Sequence, residues 1–461
     1  MPPPRARPEG NSLKHLRASD IRAVVLLATQ ATTGIANIAE GLHQSVWQTL
    51  GAAGSTAPGQ MGGITGLVYQ SVRGVTQLVG KGLDAVLTRL QPVFEAADRA
   101  APETPQREAV LAALNGVMGD RLTESHNPIA TTMTLRHGGV ALNFQALPSD
   151  LQATGKILLL VHGLCMNDLQ WQSRHKGQHP GEQGQVVDHG AALACALGYT
   201  PVYLRYNTGL HISQNGAEFS QLLEQLVKHW PAPVEDLTVV AHSMGGLVTR
   251  SALHQANCVI RKDQTSNNVT RKSAADEARL RWPALLKNIV FLGTPHHGAP
   301  LERAGNWMDV ILGSTRYSKP FARLAQLRSA GITDLRYGHV AEVDWQGHDR
   351  FRKKPDSRLC VPLPEGVACF TIAATTATQR GPMADRLTGD GLVPLHSALG
   401  LHDDPQRSLH FAKKSQLIVY RINHMQLLGS PEVTQQMVAW LTLGPGRGKV
   451  KRWSGQGRNK L

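Results

Sequence analysis

The chain has 461 residues, of which 41% are hydrophobic and 18% are charged. This composition excludes a wholly disordered chain, and the length exceeds that of one ordinary hydrophobic core, so we expect a large domain with an appended segment. The formal net charge of +14 favours contact with anionic surfaces, but no recognition motif accompanies it, and we expect no nucleic-acid partner.

Residues 1–125 are predicted to form an N-terminal helical extension. Apolar residues recur at three-and-four spacing over residues 21–46 and 64–90, which predicts two amphipathic helices in a hairpin. A short third helix is predicted over residues 107–122. The apolar stripes fit two roles equally well, contact with a lipid or membrane surface and packing within a helical bundle.

The sequence also bears on the compartment. The basic N-terminus leads into no compact apolar region with a small-residue cleavage site, and no run is long and apolar enough to span a bilayer. The five cysteines show neither CxxC pairing nor metal-ligand spacing, which favours reduced thiols. They are Cys165, Cys195, Cys258, Cys360 and Cys369. We therefore expect a cytoplasmic protein. Peripheral attachment to a membrane or lipid surface is the alternative that stays open.

Residues 126–443 have the pattern of a single α/β domain. The segments TTMTLR and VALNF flank a His-Gly-Gly turn and predict a β-hairpin. Six short apolar runs follow, and their continuous hydrophobicity predicts strands buried on both faces of a mostly parallel sheet. These runs are KILLLVHG, TPVYLRY, LTVVAHS, NIVFLGT, ACFTIAAT and SQLIVYRI. Helical patterns over residues 218–230 and 244–255 alternate with them, which predicts a central sheet with helices on both faces.

Two segments interrupt this alternation, and a third follows it. Residues 257–281 are polar and basic, which predicts a flexible surface insertion. Residues 299–354 contain helical pieces over 307–312 and 321–327 and predict a cap-like insertion above an active site. Residues 444–461 are glycine-rich and basic and predict a flexible tail.

The strongest chemical signal is the phrase VVAHSMGG, an apolar strand that runs into a turn of small residues and then a helix. Ala241 and Gly245 allow a close turn that lifts Ser243 above the sheet, and the helix N-terminus directs amides toward developing negative charge. The phrase resembles the G-x-S-x-G nucleophile elbow of α/β hydrolases, with alanine at the first glycine, as in some bacterial lipases. The resemblance implies the α/β-hydrolase fold and Ser243 as nucleophile; a purely structural buried serine is the alternative.

A second phrase, LLLVHGL, ends a predicted strand at Leu164. In the lipases that it resembles, the backbone amide after the His-Gly pair forms half of the oxyanion hole, which implies the amide of Leu164. The other half would be the amide of Met244, directly after the nucleophile. We interpret His162 and Gly163 as support for this turn, and His162 as structural rather than as a base.

The acid and the base are expected beyond the last two strands. Asp390 lies in TGDGLVP, and related lipases often carry a DG phrase of this kind with its aspartate as the triad acid; Asp385 is the nearby rival. His424 follows the final predicted strand and lies after Asp390, so the order Ser, Asp, His is that of the α/β-hydrolase triad. A surface histidine is the alternative for His424.

A fourth phrase, GTPHHG, covers residues 293–298 and resembles one found in lipases and in GPI inositol-deacylase-like hydrolases. Its histidines precede the acid, so we assign Thr294, His296 and His297, together with His242, to support of the pocket wall. A zinc pair is rejected because neither HExxH nor a carboxylate cluster completes a site, and we expect neither a metal nor another cofactor.

Together the four phrases resemble bacterial lipases and esterases over about residues 156–441. The resemblance implies a serine carboxylic-ester hydrolase that acts through an acyl-enzyme on a hydrophobic acyl ester. An acyltransferase or a thioesterase would use the same triad, because pocket shape selects the acyl acceptor. A lipid-surface binding protein without catalysis is the alternative if the three side chains fail to converge.

Overall fold

The computed structural model describes residues 103–148, 151–174, 186–264, 280–299, 329–347, 356–378 and 389–443. Several predicted features lie outside these residues. They are the helices over 21–46 and 64–90, the pieces over 307–312 and 321–327, Asp385 and the tail from residue 444. A lipid or membrane surface as partner therefore stays a prediction.

A mostly parallel sheet of eight strands forms the centre of the described chain. Its strands are β1 (Thr134–His137), β2 (Val140–Ala141), β3 (Lys156–Val161), β6 (Thr200–Arg205), β7 (Asp236–His242), β8 (Leu286–Leu292), β9 (Ala368–Thr375) and β10 (Gln416–Tyr420). The order is β10-β9-β8-β7-β3-β6-β1-β2; the first six are parallel, and β1 and β2 are antiparallel to their neighbours. A separate antiparallel pair joins β4 (Gln172–Arg174) to β5 (Val186–Asp188). The predicted sheet is confirmed, and each apolar run supplies one strand.

The apolar runs become strands because both faces of the sheet are covered. In β3 the first residue is exposed and the next five are buried. Ile157, Leu159 and Val161 face one apolar cluster, whereas Leu158 and Leu160 face another. Successive side chains point to opposite faces of a strand, so a strand covered on both sides needs an unbroken apolar run.

Helices cover both faces, as predicted. They are α1 (Pro105–Glu124), α2 (His189–Leu197), α3 (Ile212–His229), α4 (Met244–Gln264), α5 (Trp282–Leu285), α6 (Ala330–Tyr337), α7 (Leu395–Ala398) and α8 (Pro431–Leu443). Side chains of α1, α3 and α4 join the first apolar cluster, and side chains of α2 and α8 join the second. No helix among the described residues combines the length and the apolar character that crossing a bilayer requires.

The predicted hairpin is present at the edge of the sheet. Strands β1 and β2 pair in antiparallel register, with His137 opposite Val140. Gly138 and Gly139 form the turn with φ values of +56° and +81°. A two-residue hairpin turn of type I′ needs this left-handed backbone at both positions, which the Gly-Gly pair adopts without strain.

Helices lie within the described parts of the two predicted insertions. Helix α4 ends at Gln264 rather than near residue 255, so the polar stretch from residue 257 begins as helix. Polar residues such as Arg261 and Lys262 are good helix formers, so loss of the apolar pattern does not end a helix. In the predicted cap-like stretch, Ala330 and Ile332 of α6 are buried in the body of the domain.

Helix α1 belongs to the same core as the sheet. Ala113, Val117 and Leu122 are fully buried in the cluster that contains Leu159 of β3. The domain boundary was predicted near residue 125, directly after α1. The apolar side of α1 packs on the sheet that lies beyond this boundary.

We predict that Leu159→Ala lowers the free energy of unfolding by about 2–5 kcal/mol, because it leaves a cavity in the central strand. Leu159 is 0% exposed, whereas Leu401 is 48% exposed, so Leu401→Ala should change the same quantity by less than about 0.5 kcal/mol. Urea unfolding at pH 7 measures both values. Equal losses in the two variants would contradict this view of the core.

Candidate active site

Ser243 lies in a sharp turn between β7, which ends at His242, and α4, which begins at Met244. Its φ of +54° falls in the left-handed region that residues with a side chain rarely adopt. The Ser243 amide donates to the carbonyl of Leu292 in β8 at 2.9 Å, and its own carbonyl accepts from the amide of Gly246 at 3.0 Å. Such strain costs about 1–3 kcal/mol and persists only where neighbouring structure fixes it.

Glycines after Ser243 let α4 approach the sheet closely. A Cβ atom on Gly245 would lie 2.5 Å from the carbonyl oxygen of Val161 at the end of β3. A Cβ atom on Gly246 would overlap the side chain of Thr294. The small residues of the motif are therefore required by space, and Thr294 packs against the start of α4.

The predicted oxyanion turn also lies beside Ser243. A Cβ atom on Gly163 would be 3.0 Å from the Cβ atom of Ser243, so the chain after β3 passes directly next to the serine. Leu164 is the next residue of that turn and is buried. Met244 is the first residue of α4, where backbone amides have no acceptor within the helix. Both predicted amides thus belong to chain segments that adjoin Ser243.

Asp390 and His424 form a buried hydrogen-bonded pair. Nδ1 of His424 is 2.6 Å from Oδ2 of Asp390, and both side chains are buried. A carboxylate only accepts hydrogen bonds, so Nδ1 carries a proton, and in the neutral ring Nε2 then holds a lone pair. That Nε2 atom is buried and has no hydrogen-bond partner among the described residues. An imidazole in this state can accept a proton.

The backbone fixes this carboxylate. Oδ1 of Asp390 accepts from the amides of Leu392 and Val393 at 2.9 and 2.8 Å, which leaves Oδ2 for the imidazole. The carbonyl of Asp390 in turn accepts from the amide of His424 at 3.0 Å. The two residues are therefore tied by main chain as well as by side chain.

His242 connects the nucleophile strand to the base. Its ring centroid lies 4.6 Å from that of His424, and its Nε2–H donates to the carbonyl of His424 at 3.2 Å. Burial, and then the charge that His424 can carry, hold the pKa of His242 well below its usual value. From the other side, a Cβ atom on Gly293 would be 3.1 Å from Nδ1 of His424. The structure thus places His424 against His242, the residue that precedes Ser243 in the chain.

A residue that sequence reasoning missed supports the segment after His424. His189, the first residue of α2, is buried, and its Nε2–H donates to the carbonyl of Leu427 at 2.9 Å. Burial lowers the pKa of His189, which favours the neutral ring. No motif marks this histidine, since its partner lies 238 positions away along the chain.

His162 lies apart from the Asp390 pair. It stacks on Tyr206 with ring centroids 4.5 Å apart, and the Tyr206 hydroxyl donates to the His162 carbonyl at 2.8 Å. Burial, as the largest cause, lowers the pKa of His162 to about 4. A neutral, stacked ring is consistent with the structural role predicted for it.

The two histidines of the GTPHHG phrase hold different parts of the structure. His296 is buried edge-on against Phe291, and burial holds its pKa well below the usual value. Nε2–H of His297 donates to the carbonyl of Gly400 at 3.0 Å, and the His297 amide donates to Oγ of Ser397 at 3.1 Å. These contacts fasten the loop after β8 to the segment that follows Asp390.

Comparison with known proteins gives structural matches only. No family model matches the chain, and no curated protein matches it. A mature lipase of Bacillus licheniformis has 16% identity and a TM-score of 0.37, covering 68% of this chain and 97% of its own. Lipase 1 of Pelosinus fermentans has 14% identity and a TM-score of 0.34, with coverages of 62% and 98%. Lipase B of Aspergillus fumigatus has 12% identity and a TM-score of 0.39, with coverages of 93% and 86%.

The buried neutral histidines predict a dependence of stability on pH. The pKa of His162 is about 4 in the fold and 6.5 when unfolded, so below pH 6.5 the unfolded chain binds the extra proton. The stability due to the neutral ring is complete above pH 6.5 and is lost as the pH falls toward 4, by about 1.4 kcal/mol per pH unit. Urea unfolding from pH 7 to 5 should show a shallower slope for His162→Asn than for the wild type. Parallel slopes would argue against a neutral buried His162.

Proposed function

We propose that this protein is a serine carboxylic-ester hydrolase of the esterase or lipase type, with Ser243 as nucleophile. The observation that carries the proposal is the 2.6 Å pair of His424 and Asp390, which lies against His242, the residue before a serine in a strained strand-to-helix turn. Nε2 of His424 is buried and has no hydrogen-bond partner among the described residues. A histidine held by a carboxylate, with its second nitrogen free, can act as the base that activates a serine.

In the first half of the reaction, Oγ of Ser243 attacks the ester carbonyl carbon while Nε2 of His424 takes the hydroxyl proton. Hydrogen bonds of this kind are often long in unliganded enzymes and shorten when substrate is bound. Asp390 stabilises the imidazolium that forms and keeps the ring in the required tautomer. The tetrahedral oxyanion accepts hydrogen bonds from the amides of Leu164 and Met244.

In the second half, the intermediate collapses and the C–O bond to the alcohol breaks. The leaving alkoxide takes the proton from His424, and the acyl group remains on Ser243. Water then attacks the acyl-enzyme while His424 again acts as base, and the carboxylic acid is released with Ser243 restored. The chain's own residues supply every proton transfer in this scheme.

A hydrophobic acyl group is the proposed substrate class. Two apolar side chains lie next to the site. Sδ of Met166 would be 3.4 Å from a Cβ atom added to Gly163. Cδ1 of Leu427 would be 2.9 Å from a Cβ atom added to Gly293. Both residues are buried. Transfer of apolar acyl surface from water to such a lining contributes about 25 cal/mol per Å².

Ser243→Ala should lower the hydrolysis of nitrophenyl esters by about 10⁴-fold or more, because no other group can form the acyl-enzyme. The measurement is kcat/KM across esters of graded acyl length, which also separates an esterase from a lipase. The matched control is Ser251→Ala, which changes another buried serine of α4 and should leave activity near that of the wild type. Retained activity in Ser243→Ala would remove the proposed nucleophile. Product analysis with added alcohols separates hydrolysis from acyl transfer.

Asp390→Asn should lower kcat by roughly 10⁴-fold with little change in KM, because the amide no longer fixes the tautomer of His424. The control is Asp334→Asn. Asp334 is equally buried and accepts from Nδ1 of His211 at 2.9 Å, but it holds α6 against α3. That variant should lose stability while keeping kcat at temperatures where it is folded. Equal kcat values in the two variants would show that Asp390 has only a structural role.

A further inference from the structure

The residue after Leu164 has an unusual backbone. Cys165 has a φ of +58°, again in the left-handed region that is unfavourable for a residue with a side chain. Its amide donates to Oγ1 of Thr208 at 3.1 Å. Because Cys165 is bonded directly to Leu164, the position of Leu164 depends on whatever holds this strained residue in place. The 163–164 peptide, which carries the Leu164 amide, is attached to the same residue.

Helix α1 packs directly on Cys165. A Cβ atom on Gly116 would overlap Sγ of Cys165 and would lie 2.9 Å from its Cα and 3.0 Å from its amide nitrogen. Real Cβ atoms do not approach backbone this closely, so only glycine fits here. Burial raises the pKa of the Cys165 thiol, so the side chain stays protonated and packs as a small apolar group.

The same helix holds the loop at a second place. Nδ2 of Asn167 donates to the carbonyl of Glu108 at 3.0 Å. The Glu108 carboxylate is 2.7 Å from Nη1 of Arg205, and Nε of Arg205 binds Asp168. Residues 165, 167 and 168 are thus all connected to α1, directly or through one arginine.

We propose that α1 is a positioning element for the oxyanion amide of Leu164, with the contact between Gly116 and Cys165 as its critical point. The proposal rests on the proposed function, since it concerns the same site. An oxyanion donor contributes only when it lies about 2.7–3.1 Å from the developing charge, and a shift of about 1 Å removes most of its effect. A side chain at position 116 must displace Cys165, and through Leu164 it displaces the 163–164 peptide that carries this donor.

The test is Gly116→Ala, assayed on matched oxo-esters and thiono-esters. Loss of one oxyanion donor lowers kcat by about 10²–10³-fold, so we expect a decrease of at least about 10-fold with an unchanged KM. Sulfur accepts hydrogen bonds more weakly than oxygen, so an intact oxyanion hole favours the oxo-ester. The oxo-to-thiono rate ratio should therefore fall in Gly116→Ala, which a general loss of folding does not cause.

Two further variants separate positioning from packing. Val117→Ala removes fully buried methyl groups from the same helix without adding an atom at Cys165, so it should lower stability but leave kcat and the rate ratio unchanged. Cys165→Gly removes the overlapping side chain and suits the left-handed backbone. Combined with Gly116→Ala, it removes the overlap with Sγ but not the close approach to the backbone of residue 165, so it should restore part of the lost kcat.

If Gly116→Ala does not fold, Asn167→Ala tests the second contact, and the rate ratio should fall in the same direction. The inference is overturned if the folded variant keeps the wild-type rate ratio, or if Val117→Ala lowers kcat by the same factor. Failure of the proposed function gives a different result. In that case the wild type itself shows no hydrolysis that depends on Ser243, so its oxo-to-thiono rate ratio cannot be measured.

Discussion

The hydrogen bond between His424 and Asp390 is the interaction on which the site depends, and the topology of the sheet makes it possible. Strands β9 and β10 are parallel neighbours, with Tyr420 opposite Thr375. Parallel strands end at the same edge of a sheet, so the loops that follow them emerge side by side. The amide of Ile422 donates to the carbonyl of Thr375 at 3.3 Å, which keeps the two loops together as they leave the sheet. Residues 34 positions apart along the chain are thus 2.6 Å apart.

Hydrogen-bond partners distinguish His424 from the other buried histidines near it. Burial lowers the pKa of His162, His189 and His242, and their hydrogen-bond partners in the structure are main-chain carbonyls or a hydroxyl. A carbonyl stabilises a positive ring less than a carboxylate does. Only His424 of these four has a carboxylate on its ring. In the proposed mechanism these three rings hold backbone in place, and His424 alone takes the proton of Ser243.

The sequence predicted the sheet and the site phrases because both depend on local patterns. An unbroken apolar run indicates a strand covered on both faces, and small residues around Ser243 indicate a close turn. Asp390 and His424 could be placed by their order and by the strands before them. His189 and the contact of Gly116 with Cys165 could not be predicted, because packing between distant segments leaves no periodicity and no spacing. The end of α4 was misplaced for a related reason, since a helix can continue in polar residues after its apolar face ends.

Two strained residues, Ser243 and Cys165, flank the proposed oxyanion hole with φ values of +54° and +58°. Each such conformation costs about 1–3 kcal/mol and must be offset by contacts that exist only in the folded chain. For Ser243 these contacts come from β8 and from the glycines at the start of α4. For Cys165 they come from Oγ1 of Thr208 and from α1, which precedes the first strand. A helix that no catalytic motif includes thus packs on the turn that carries the proposed oxyanion amide of Leu164, because Gly116 leaves room for the backbone of Cys165.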